Sequence, residues 1–374
     1  MRSTNQRYLY PVDHLRAFAA VLVLLYHSTQ LITAAGAGHT FNPTLEWPHS
    51  RNPLKTIVFE GHTGVALFMV LSGFIFTLGT LGRELSYRRF MTNRLLRIYP
   101  MYLILLFIGL SVSRDAFTLS SFGQSLFPLA NFSGAAASNT IWGTMFWAVS
   151  IEFQFYLLFP LLLRLLNRVG PLALLRLLTA MVVLRSLVWF AQPDVDLNLL
   201  TYFSLVGRLD QFLLGMLAAW VFVNKRHWIR RELLVVSALG AVAMLWGFNQ
   251  LHGYVEPKGW RVVWVDLEGL VWALVIASYV AAFENRRGIV TRALARVGEV
   301  SFSIYLLHYA VVVGVVTTAH HLIVGTGGTI CSGFLSGVLV ALPITVAIAF
   351  ISYNAIEKPF LGLRVKYVLP ATVP

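Results

Sequence analysis

Cysteine is almost missing from this 374-residue chain, with Cys331 the single instance. That excludes an internal disulfide and fits no metal cluster, so Cys331 reads as small helix filler. Charge is scarce too, at 12% of residues, about half the share in soluble domains. Acidic residues are the thinnest class, 16 against 29 Lys and Arg, for a net charge of +13. No zinc signature, phosphate loop, dinucleotide fingerprint or Gly-Xaa-Ser-Xaa-Gly elbow is present, and no metal is expected. There is no internal repeat or low-complexity tract. What fills the chain instead is apolar, 57% of it, in long runs that recur from end to end. A single soluble core could not account for them. The positive balance could point to nucleic acid, but the basic residues sit in short clusters between apolar runs. That is the pattern of cytoplasmic loops in a polytopic membrane protein, so the expected partner is the bilayer and not nucleic acid.

At about twenty apolar residues per span, the runs predict ten: 13–35, 63–81, 95–112, 143–166, 171–191, 199–223, 233–251, 262–283, 300–323 and 329–355. The expected fold is an all-α polytopic membrane bundle of about ten transmembrane helices, a single integral membrane domain over 1–374 with no appended soluble domain. Alternate loops collect Arg83, Arg88, Arg89, Arg94 and Arg97, then Arg164, Arg168 and Arg176, then Lys225, Arg226, Arg230 and Arg231, then Arg286, Arg287, Arg292 and Arg296. The tail adds Lys358, Arg364 and Lys366, whereas the other loops hold only Arg51, Lys55, Arg114, Lys258 and Arg261. This asymmetry predicts both termini in the cytoplasm of a multi-pass membrane protein. A cleaved signal peptide, with Arg2 and Arg7 ahead of 34–37, is weighed against this. Arg16 and His27 interrupt its apolar region, and removal would leave an odd span count. Residues 117–139 could hide a re-entrant segment or a surface helix.

Ionisable groups inside spans are functional candidates by default. Arg16 and His27 lie eleven residues apart, about three helical turns, so they share a face about 16 Å apart in height. His27 near the middle could accept a proton from a hydroxyl; its bland alternative is a bond to a neighbouring helix, as a snorkelling role is for Arg16. Glu152, in Trp147-Ala-Val-Ser-Ile-Glu152, must be protonated or paired at its depth, and Tyr156 follows it one turn on. Arg94 and Arg97, at i and i+3, could grip phosphates or face lipid headgroups. Arg208 and Asp210, two apart, do not face each other, so each needs its own partner. Arg185 reads as a buried cation in a structural pair, His308 as a histidine bonded in place, Glu357 as a partner for a basic inner loop, and Ser72 as packing between close helices.

Several segments, in order, resemble the acyltransferase-3 family of integral membrane acyltransferases. They are Asp13-His-Leu-Arg16 with ten residues before His27, Gly64-Val-Ala-Leu-Phe-Met-Val-Leu-Ser-Gly-Phe74, Arg94-Leu-Leu-Arg97-Ile-Tyr-Pro100, Trp147 through Glu152 with Phe155-Tyr156, Arg208-Leu-Asp-Gln-Phe-Leu-Leu-Gly215, Ser301-Phe-Ser-Ile-Tyr-Leu-Leu-His308, and Glu357-Lys-Pro359. The resemblance implies transfer of an acyl group, usually acetyl, to a sugar hydroxyl such as that of lipopolysaccharide O-antigen. It maps the family's Arg-to-His motif onto Arg16 and His27, its paired arginines onto Arg94 and Arg97, and its fourth-span acid onto Glu152. Departures are His14, Ala66 and Phe153, where many members have glycine, an acid and a second glutamate. Many relatives also carry an esterase-like C-terminal domain, so here the bundle is expected to act alone or with a partner. The expected mechanism brings acetyl-CoA from the cytosol onto Arg94, Arg97 and Arg16, with His27 and Glu152 meeting the thioester. His27 acts either as base or through a covalent acyl state. A glycan or lipid-linked saccharide would enter from the outside near Arg185 and Arg208. The competing readings are a secondary transporter and an acyltransferase acting on a non-glycan acceptor.

Overall fold

The computed structural model describes residues 8–43, 45–132, 140–192, 194–256, 258–325 and 328–369. Sixteen helices follow one another in that part of the chain. They are α1 (Tyr10–Gly36), α2 (Pro53–Phe59), α3 (Thr63–Thr80), α4 (Tyr87–Val112), α5 (Leu119–Leu126), α6 (Phe146–Val169), α7 (Pro171–Ala191) and α8 (Leu197–Thr201). The second half holds α9 (Leu205–Asn224), α10 (Glu232–Gln250), α11 (Arg261–Phe283), α12 (Ile289–Glu299), α13 (Ser301–Thr317), α14 (Ile330–Ser336), α15 (Leu342–Ser352) and α16 (Lys358–Leu361). Helix is the only backbone form that satisfies its own polar groups without a sheet partner in hydrocarbon. Among the described residues, nine helical segments are long and apolar enough to cross a bilayer, ten if α12 and α13 count as one bent span.

The differences from the predicted spans have local causes. Helix α4 begins eight residues before the apolar run, so all four of Arg88, Arg89, Arg94 and Arg97 ride on it. The ninth span is broken: α12 meets α13 at 65°. Helix α12 carries Arg292 and Arg296 and lies across the start of α1, where a Cβ on Gly298 would collide with the Asp13 carbonyl. The last span runs on through two wider turns, Gly337–Ala341 and Tyr353–Glu357, to Leu361. Within 117–139, α5 is a short helix tied to α4, with the Tyr102 hydroxyl donating to Ser125 O at 2.7 Å; residues 133–139 lie outside the described part. Pro11 and Pro171 open α1 and α7 at positions where no amide donor is needed. Gly170 turns the chain between α6 and α7 at φ 91°, a region where glycine carries no Cβ penalty.

Helix α3 sits at the centre, and α9 presses against it. A Cβ on Gly215 would meet Val70 O, and one on Gly73 would meet Phe212 O, so two glycines let the backbones touch. The periphery is apolar and exposed, as at Leu187, Leu239 and Leu339, which suits lipid. Gly215→Ala should therefore force α3 and α9 apart, at a cost of about 1–3 kcal/mol. A thermal unfolding midpoint in detergent that falls by several degrees is the expected reading.

Candidate active site

One end of the bundle gathers the start of α1, the end of α3, the start of α4 and the tail after α16. Between them lies a cavity of about 650 Å³, inside the usual range of about 300–1,000 Å³ for small-molecule sites. Arg16, Arg94, Arg97, Glu152 and Tyr156 all line it. These predicted residues therefore converge, although three separate helices, α1, α4 and α6, supply them. Arg94 lies over the Phe76 ring at 4.6 Å and near the rings of Phe90 and Tyr156. These aromatic walls hold a guanidinium in place without neutralising it. Arg97 is tied instead to Glu357 at 2.8 Å, with Ser303 bonded to the other carboxylate oxygen. Arg16 pairs with Asp13 at 3.3 Å. Deeper in, Glu152 accepts a hydrogen bond from the Ser72 hydroxyl at 2.7 Å, so Ser72 does more than pack. Phe68 and Tyr305, edge to face at 6.1 Å, belong to the lining, with the Tyr305 hydroxyl buried and without a partner.

His27 does not line this cavity. It sits past the midpoint of α1, level with the turn into α3, where a Cβ on Gly61 would come within 2.7 Å of the Tyr26 Cβ. The half-buried His27 ring meets the fully buried His308 of α13, with His27 Nδ1 3.1 Å from His308 Nε2. Protons can be placed from the neighbours. His308 Nδ1 faces the carbonyl oxygens of Tyr305 at 2.6 Å and Ile304 at 3.2 Å, so it carries hydrogen. His27 Nδ1 lies 3.1 Å from Val23 O, so it also carries hydrogen and donates toward His308 Nε2. A neutral His27 then has its lone pair on Nε2. His308, read from the sequence as bonded in place, is bonded, but to His27. A second cavity of about 210 Å³ begins one turn further along α1, at Thr29, Gln30 and Thr33, and includes His39 and Glu46.

Arg185, Arg208 and Asp210, expected beside the acceptor's entry route, line neither of these two cavities. Arg185 is wholly buried: its guanidinium pairs with Asp210 and with Asp266 at 2.7 Å, and donates to Val206 O and Val262 O at 3.0 Å each. Arg208 lies over the Tyr202 ring at 4.1 Å and reaches Glu268 at 3.4 Å, which in turn accepts from Gln211 and Thr63. The two residues do find separate partners. Asp266 and Glu268 were not singled out in the sequence, although two acids inside a predicted span carried the same signal as Arg185. Tyr305 and Ser72 gave no signal, because such residues are common in apolar helices. Glu60 is also buried, accepting from Trp47, Asn249 and His62 near the turn into α3.

The fold and these groups define a polytopic membrane protein built around a cationic interior cavity with a histidine pair beyond it. A model of the acyltransferase domain matches residues 9–354, and the chain belongs to the acyltransferase-3 family. It is similar to the acyltransferase MdmB of Streptomyces mycarofaciens, 25% identical over 347 residues that cover 86% of each chain. It is also similar to the O-acetyltransferase OatA of Staphylococcus aureus, 23% identical over 349 residues. That match covers 83% of this chain and 51% of OatA, so the chain spans about half the length of that relative. No solved structure matches it. The protein is a membrane-embedded acyltransferase.

Proposed function

We propose that the protein is an O-acetyltransferase of a bacterial inner membrane, moving acetyl from cytosolic acetyl-CoA to a hydroxyl of a cell-envelope glycan such as lipopolysaccharide O-antigen. The observation that carries this reading is the arrangement of one cationic cavity and one histidine base in series. The excess of arginine and lysine at the cavity end of the bundle supports a cytosolic mouth, where the polyanionic donor is found. Arg94, Arg97 and Arg16 take its phosphates, as guanidinium forks do well, and the pantetheine arm runs along α3 past Glu152. The acetyl end must pass Phe68 and Tyr305 to reach His27. The acceptor approaches through the smaller cavity at Gln30 instead of the side of Arg185 and Arg208.

His27 Nε2 takes the hydroxyl proton as the sugar oxygen attacks the thioester carbonyl. The C–S bond then breaks, and the leaving thiolate takes the proton back from the imidazolium. Val23 O and His308 together hold the ring in the tautomer that this step needs. The name of OatA supports an oxygen acceptor. Membranes containing the protein and supplied with radiolabelled acetyl-CoA are expected to place label in glycan, with Arg94→Gln raising the donor KM about tenfold through one lost charge-assisted contact. Solute movement with unlabelled glycan would make the protein a transporter; label in another product would replace the acceptor.

A further inference from the structure

After the last span, residues 362–369 fold back along the bundle. Asn93 of α4, itself buried, donates to Val365 O at 2.7 Å and accepts from Val365 N at 2.9 Å. Ser86 N donates to Tyr367 O at 2.8 Å, and Leu369 N to Glu84 O at 2.9 Å. The tail is thus stitched to the loop between α3 and α4, and it brings Arg364 and Tyr367 into the wall of the large cavity at its mouth. Arg364 Nε donates to Leu361 O at 3.0 Å, which fixes the base of the fork and leaves its terminal nitrogens for something else.

Charge at the mouth is not balanced around this residue. Asp13 is spent on Arg16, Glu284 on Arg226 and Glu357 on Arg97, while Glu152 is bonded to Ser72. Glu299, the other acid in the lining, has no cation within 4 Å among the described residues. Among the described residues, Arg94 and Arg364 therefore have no carboxylate partner, and Arg94 Nε is buried without any hydrogen bond. Burial, then the neighbouring Arg97 and Arg94, push the Arg364 guanidinium below its ordinary range. Uncompensated cations held close in a partly buried wall are costly unless an anion joins them.

We propose that Arg364 is a fourth phosphate anchor of the donor site and holds the outermost phosphate of coenzyme A, the 3′-phosphate on the ribose. This assignment rests on the acyl-CoA reading given above. It follows from position: the acyl end lies deepest, the diphosphate lies by Arg94 and Arg97 on α4, and the tail closes the mouth. Arg364 also lies beyond residue 354, where the match to the family ends, so the tail adds a donor contact to the bundle from outside that match.

Dissociation constants of the purified protein in detergent test this directly, with coenzyme A and 3′-dephospho-coenzyme A as the two probes. The wild type is expected to bind coenzyme A about tenfold more tightly than the dephospho form, the size of one charge-assisted contact. Arg364→Gln should erase that preference by weakening coenzyme A alone, and Arg364→Lys should restore part of it. The dephospho form serves as the internal control for folding, since a disturbed cavity would weaken both probes. Equal weakening of both, or no change in either, overturns the assignment. A wild type that binds neither probe overturns the donor reading itself.

Discussion

His27→Ala should lower the transfer rate by about 10²–10⁴-fold, the usual worth of a positioned general base, while coenzyme A still binds. The separation of the two effects follows from geometry. His27 lines no part of the large cavity, so truncating it removes nothing that the donor touches on the way in. His308→Ala is expected to fall between wild type and His27→Ala. That variant leaves the His27 ring in place, with its Nδ1–H still facing Val23 O at 3.1 Å, but removes the second acceptor on that hydrogen, so the ring is held less firmly in the orientation the reaction needs. Rates at saturating donor, together with the affinity for coenzyme A, check both variants. A His27→Ala protein that transfers within tenfold of wild type would remove His27 as the base. Loss of coenzyme A affinity in the same variant would make it a wall of the donor site instead.

The spans were legible because hydrocarbon imposes one length and one composition on anything that crosses it. The arginines at one end were legible for a similar reason, since their clustering is a linear property. Arg94, Arg97, Arg16 and Glu152 could be named in advance as a group, and they do meet in one cavity. Their individual partners could not be assigned, although Glu357 reads in the sequence as a partner for a basic inner loop. Glu357 lies 260 residues from Arg97 and His308 lies 281 residues from His27, and no periodicity within a helix says which other helix it will face. The bend at Val300 was hidden too. Helix α12 is too basic to read as a span, and its position depends on a glycine fitting against the Asp13 carbonyl. Arg185 and Arg208 drew attention for their depth, a property that marks structural ion pairs as well as substrate sites; only the closed coordination around each one separates the two.

Arg185→Met should destabilise the fold by about 3–5 kcal/mol, the range for breaking a buried ion pair from one side. The reason lies in what is left behind. Asp210 is wholly buried and Asp266 partly so, and both aim at the guanidinium; without it two carboxylates face each other with no cation, and the carbonyls of Val206 and Val262 lose the guanidinium donors. Asp210→Asn should cost less, because Arg185 keeps Asp266 and an amide oxygen. Combining Arg185→Met with Asp210→Asn should recover part of the loss of the first, since one buried negative charge goes with the cation, so the two effects will not add. Thermal unfolding in detergent of the three variants gives the order. The same proteins decide whether this cluster is a strut between α7, α9 and α11 or part of an acceptor site. A strut predicts that whatever fraction remains folded has a wild-type KM for the acceptor. A binding role predicts the reverse, a stable protein with a raised acceptor KM, and that outcome would move the acceptor route back from Gln30 to the side of the bundle where Arg185 lies.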